Sequence, residues 1–129
     1  MSFSQQIITW GAKTADKIQM TRRGVTLKLF GAVILDTPVL TGRARANWRI
    51  QEGQPQLAVV DREDKSGGVA LKEVETAVQA SSGDTTIYLA NNLPYIKRLE
   101  EGYSQKAPEG MVRRNVARFA RLIQIEVSK

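Results

Sequence analysis

An α+β domain, with one long N-terminal helix, a small antiparallel sheet of about three strands and further helices including a C-terminal one, is the fold this sequence predicts. Three observations carry that expectation. No Pro occurs before Pro38, and apolar residues recur near a 3.6-residue period from Ile7 to Val33. Three short segments, 46–51, 56–61 and 85–90, are rich in β-formers or alternate apolar with polar. Helical spacing then returns in 69–80 and again from Met111 to Val127.

The first element spans Ser4 to Leu35, with Ser2 or Ser4 available as its cap. Its stripe is Ile7, Ile8, Gly11, Ala15, Ile18, Val25, Leu29, Ala32 and Val33, opposite Lys13, Lys17, Arg23 and Lys28. Gly24 and Gly31 weaken it, and Gly24 is a candidate break. Unbroken, this helix would be about 48 Å long. A chain of this length has a radius of gyration of roughly 14 Å. Part of the helix should therefore protrude or pack on a neighbouring subunit.

Pro38 stops the helix and Gly42 permits a turn. In 46–51, Trp48 and Ile50 face one way and Asn47, Arg49 and Gln51 the other, as in a strand. The turn residues 52–55 suggest a hairpin whose return strand is 56–61, with Leu57, Val59 and Val60. Residues 62–68 form a polar, Gly-containing loop, and Leu71, Val74 and Val78 mark the helix of 69–80. A third strand follows at 85–90. Pro94 opens a short helix through Glu101, Gly102 to Pro108 is a loop, and a last helix covers 109–127. That helix has the apolar stripe Met111, Val112, Val116, Phe119, Leu122, Ile123 and Val127.

At 129 residues the chain is the usual size of one domain. It contains no Cys and no His, which removes disulfide scaffolds, the usual zinc and haem ligands, and His- or Cys-based catalysis. No stretch approaches the ~20 apolar residues of a membrane span, and the N-terminal residues do not read as a signal peptide. Assembly in the cytoplasm is the resulting expectation.

The formal charge of +6 is segregated. Residues 1–50 carry eight basic and two acidic side chains, 51–105 five and nine, and 106–129 six and two. Basic ends thus flank an acidic middle, a pattern suited to head-to-tail docking of subunits or to nucleic-acid contact. The basic clusters are Arg43, Arg45 and Arg49, then Arg113, Arg114, Arg118 and Arg121, with Arg114, Arg118 and Arg121 on one helical stripe. No nucleic-acid recognition signature accompanies them.

Enzymatic readings find little. Neighbouring Glu100 and Glu101 point about 100° apart on a helix and do not form a convergent acid–base pair; a solvated helix end is the plainer reading. Asp61, Glu63 and Asp64 lack the spacing of a calcium loop. Neither phosphate-binding glycine motif is present.

Two stretches carry a resemblance. The first is Thr37-Pro38-Val39-Leu40-Thr41-Gly42-Arg43-Ala44-Arg45-Ala46-Asn47-Trp48. The second begins Asn91-Asn92-Leu93-Pro94-Tyr95 and continues through Leu99-Glu100-Glu101-Gly102-Tyr103-Ser104 to Ala107-Pro108-Glu109-Gly110-Met111-Val112. In order and spacing they resemble the tail-completion, or neck, proteins of tailed bacteriophages. The sequence departs from that family at Leu40, where Asp is frequent, and at Gln105-Lys106, where the reverse order is common.

The resemblance implies a non-enzymatic, cofactor-free virion protein: a head–tail connector subunit in a ring of six or twelve copies, with phage DNA passing through the lumen. Other neck, portal-side or tail-tube proteins would be its neighbours, and no membrane is involved. A tail terminator ring capping the tail tube is the alternative, and a DNA-binding accessory protein a further one. Candidate subunit-interface residues are Arg43, Arg45, Tyr95, Leu99, Glu100, Glu101, Tyr103, Arg114 and Arg118. Candidate framework residues are Pro38, Gly42, Trp48, Pro94, Gly102, Pro108 and Gly110. For Trp48, core packing is the simpler role.

Overall fold

Helix α1 runs unbroken from Phe3 to Asp36 in the computed structural model. The structure describes residues 2–102, 104–107 and 109–128, the side chains of 10–12, 14–16 and 122–128 excepted. Ser2 caps α1 as part of a capping box: its hydroxyl accepts the Gln5 N–H, and its own N–H donates to the Gln5 side chain. Gly24 does not break the helix, because a lost Cβ costs too little to outweigh continuous backbone bonding on both sides. The apolar stripe is covered only toward the C-terminal end of the helix. Val33 and Ile34 are buried and Leu27, Leu29 and Phe30 pack on the core, whereas Phe3, Ile7, Ile8 and Ile18 are exposed. Gly11 and Ala15 of the expected stripe lie outside the described side chains.

The remaining elements are α2 (Arg43–Ala46), β1 (Arg49–Glu52), α3 (Gly68–Gln79), β2 (Ile87–Ala90), α4 (Ile96–Glu100) and α5 (Val112–Ser128). Helix α3 buries Ala70, Val74 and Val78 at i, i+4 and i+8 against α1. At Gly31 the two helices run close, and a Cβ added there would stand 3.4 Å from Leu71 Cδ2. Each fully buried Val or Ile contributes roughly 1.5–3 kcal/mol, so this face is the main cohesive surface of the domain. Trp48, Ala107 and Met111 complete the same cluster.

Among the described residues the sheet has two strands rather than about three. β1 pairs antiparallel with β2, with Arg49 opposite Ala90 and Glu52 opposite Ile87. Ile50 and Leu89, directly opposite each other, both pack on the core. The expected hairpin with 56–61 does not form. The Gly53 N–H donates to Thr86 O, which extends the β1–β2 ladder instead of turning the chain back on itself. Segment 56–61 is instead held by side chains. Asn47 accepts the Val60 N–H at 2.8 Å and donates to Val60 O at 3.0 Å, so the Val60 backbone is satisfied without a strand partner.

Polar side chains fasten the loops. Arg62 donates to Ala46 O and pairs with Glu73, and Arg22 and Arg23 donate to Thr85 O and Ser81 O. At the end of β1, Glu52 accepts hydrogen bonds from the hydroxyl groups of Thr85 and Ser82 and from the Ser82 N–H. Those donors, Thr85 first, hold its carboxyl below the usual carboxylate range.

Helix α5 begins at Val112, later than the expected Glu109, because Gly110 adopts φ +81° and ends the preceding turn. Its buried face is Met111, Asn115 and Phe119; Val112 and Val116, expected to be apolar core, are exposed. Leu122, Ile123 and Val127 fall among the side chains not described. Among the described residues no helix is long and apolar enough to cross a membrane.

Candidate functional site

The two motifs, far apart in the chain, meet at the C-terminal end of α1. Three side-chain bonds join them or their flanks: Asn91 Nδ2 donates to Ala44 O at 2.9 Å, Lys106 Nζ to Val39 O at 3.1 Å, and Asn115 Nδ2 to Asp36 Oδ2 at 2.8 Å. A shallow hollow of about 280 Å3 lies at the junction, lined in part by Pro38, Val39, Arg45, Lys106 and Arg114.

Within the first motif, Thr37 is fully buried and works in both directions. Trp48 Nε1 donates to its Oγ1 at 2.8 Å, and that hydroxyl donates onward to Val33 O at 2.8 Å. Trp48 therefore anchors β1 to the last turn of α1, as core packing with a polar tether. Arg45, proposed from sequence as an interface residue, closes the same helix end. Its guanidinium donates to Leu35 O, Thr37 O and Lys65 O at 2.7–3.0 Å. A helix C-terminus leaves such carbonyls without intrahelical partners and favours positive charge.

Gly42 has φ +89°, and a Cβ there would stand 2.5 Å from Lys65 N. Its carbonyl accepts the N–H groups of both Ala46 and Asp64. Asp64 in turn is buried and accepts the Ala70 N–H at 3.0 Å, capping the start of α3. The three acids weighed as a cation site therefore do not act together. Among the described residues no cluster of ligating side chains could hold a metal ion.

The second motif is organised by Glu100. Rather than a solvated helix end, its carboxylate accepts the N–H of Met111 at 2.9 Å and of Val112 at 2.8 Å. The N-terminus of α5 lacks a local Ser, Thr, Asp or Asn cap, and Glu100 supplies one from the preceding helix. Gly110 makes room, since a Cβ there would lie 2.5 Å from Glu100 O. Gly102, at φ +92°, turns the chain after α4. Leu99 is half-buried against the core.

Exposed candidates are Arg43, Tyr95, Glu101, Arg114 and Arg118, together with Pro94. Arg118 also donates to Asn115 Oδ1 at 2.9 Å and lies 5.5 Å from the centroid of the Phe119 ring. Tyr103 and Pro108 lie outside the described residues.

Sequence reasoning missed Asn47 and Asn115, which are buried and hydrogen-bonded on both ends of their amides. It also missed the capping role of Glu100. The signal for Glu100 was present: a helix starting after Gly110 with no capping residue needs an acceptor from elsewhere. No protein-family model, no curated protein and no solved structure matches this chain.

Proposed function

We propose that this chain is a structural, non-catalytic subunit of the neck of a tailed bacteriophage, assembling in the host cytoplasm into an oligomeric ring that joins head to tail in the virion. The observation that carries the reading is the ordered pair of motifs, 37–48 and 91–112, that resembles the tail-completion family. The geometry is consistent with it. Pro38 lines the junction, Gly42 and Gly110 hold tight backbone approaches in the two motifs, and Leu40, at 90% exposed, and Tyr95 are open to solvent. The partners in this reading are further copies of the chain, six or twelve per ring, and adjoining neck, portal-side or tail-tube proteins. DNA in the lumen is contacted without sequence preference.

Native mass spectrometry and negative-stain imaging of the purified protein test the proposal. The expected result is a closed ring of six to twelve copies, together with recovery of the protein in virions. A monomer at all accessible concentrations that shifts duplex DNA at physiological salt, with a steep salt slope, would overturn it in favour of a DNA-binding accessory protein.

A further inference from the structure

The two-stranded sheet leaves β2 with an open edge. The Gly53 N–H donates to Thr86 O, so the hydrogen-bonded pairs of this antiparallel ladder are Gly53–Thr86, Gln51–Tyr88 and Arg49–Ala90. The N–H and C=O groups of Ile87 and Leu89 therefore point away from β1, and among the described residues nothing pairs with them. β1 also packs on α3, whereas β2 has extensive contact with β1 alone. A hollow of about 450 Å3 opens beside the start of this edge, lined by residues 83–87 and by Arg22, Thr26 and Phe30 of α1. Residues 85–90 contain neither Pro nor a charged side chain to blunt the edge.

The same chain carries a segment with the complementary need. Residues 53–60 have no charged side chain and end in the β-formers Val59 and Val60, yet they belong to no strand of the domain. Leu57 and Val59 are 57% and 42% exposed. Side chains hold part of this backbone: Asn47 bonds both polar groups of Val60, and Arg49 donates to Ala58 O. Val59, between them, has neither its N–H nor its C=O paired among the described residues. Asn92 donates to Leu57 O, which places the segment at the Arg49–Ala90 end of the ladder. The hollow beside Thr86 and Ile87 lies at the other end.

We propose that segment 56–60 of one copy adds as a strand to the open edge of β2 in a second copy, with the Val59 N–H and C=O paired to the outward groups of Ile87 or Leu89. A row of free N–H and C=O groups is matched by another backbone in extended form. The segment supplies one that bears β-forming side chains and brings no charge into the edge. Donor and receiver lie at opposite ends of the sheet, so the contact is heterologous. Each copy gives one strand and receives one, as a ring requires. This inference rests on the ring reading above and names a contact that would build the ring.

Hydrogen exchange reads both sides of the contact. In the assembled protein the amides of Val59, Ile87 and Leu89 should exchange about tenfold or more slowly than in the same protein diluted to monomer. Slowing at Val59 alone would mean that the segments pair with one another, and slowing at Ile87 and Leu89 alone that something else occupies the edge; either overturns the proposal. In parallel, Val59→Pro removes an N–H that the isolated domain does not use. The variant should keep the circular dichroism of the parent and weaken self-association about tenfold or more. Val59→Thr keeps that N–H and should assemble like the parent. If Val59→Pro does not fold, the exchange of the parent decides. A protein that forms rings with all three amides still fast, or whose folded Val59→Pro variant assembles unchanged, overturns the strand pairing and leaves the ring reading standing. A protein that is monomeric throughout overturns both.

Discussion

The carboxylate of Glu100 caps a helix that begins 12 residues later: it accepts the N–H of Val112 at 2.8 Å as well as that of Met111 at 2.9 Å. This single acid ties the end of α4 to the start of α5, and Gly110 is the clearance that lets it approach.

Removing the cap should therefore loosen α5 without disturbing α3. Glu100→Gln, which keeps the shape and loses the charge, is expected to cost about 1 kcal/mol, and Glu100→Ala about 1–2 kcal/mol. Gly110→Ala should cost more, above about 2 kcal/mol, because it combines a positive φ with a collision against backbone. Urea unfolding at neutral pH measures all three. An unchanged midpoint for Glu100→Ala would refute the capping role.

The Trp48–Thr37–Val33 relay makes a second prediction. Thr37→Val preserves volume but leaves the buried Trp48 N–H without its acceptor, at a cost of about 1–3 kcal/mol. Thr37→Ser keeps the hydroxyl and loses one methyl, at about 1 kcal/mol. The order of the two variants in chemical denaturation is the readout: Ser must be the better tolerated.

Helices α1 and α3 were legible because their signal is local: Pro38 ends one, and Val74 and Val78 repeat within the other. The partner of β1 was not. Alternation in 46–51 identifies a strand yet carries no information on what pairs with it, and proximity in the chain favoured 56–61 over the true partner, Ile87–Ala90. The polar framework was hidden for the same reason. Asn115 and Asp36 are separated by 79 residues, and nothing near either one marks it as buried. The motif glycines were visible as turns, but the acid that makes Gly110 necessary read as surface. Arg45, too, read as a surface cation because the helix end it closes lies several residues upstream.

Gly24 offers a stabilising change. It lies inside α1 with helical neighbours on both sides, and a Cβ there would meet nothing within 4 Å. Gly24→Ala should raise stability by about 0.5–1 kcal/mol, mainly by restricting the unfolded chain. Thermal melting followed by circular dichroism checks it. Gly31→Ala at the α3 crossing, where the new methyl would stand 3.4 Å from Leu71 Cδ2, should gain less.

Glu52 predicts one component of the pH dependence. Hydrogen bonds from Thr85 and Ser82 hold its folded-state pKa below the ordinary value of 4.5. A carboxyl depressed in this way binds protons more readily in the unfolded chain. Its stabilising contribution is therefore fully present above about pH 5 and is lost as the pH falls through 4.5 toward the lower folded value. Glu52→Gln removes the titration while keeping an acceptor. The stability difference between parent and variant should be constant from pH 6 to 8 and should shrink on acidification below pH 4.5. Because Glu52 is solvent-accessible, added salt should weaken only the Coulombic part contributed by Arg22 and leave the hydroxyl bonds in place. A difference that grows as the pH falls would mean that the Thr85 and Ser82 hydroxyls do not favour the charged form.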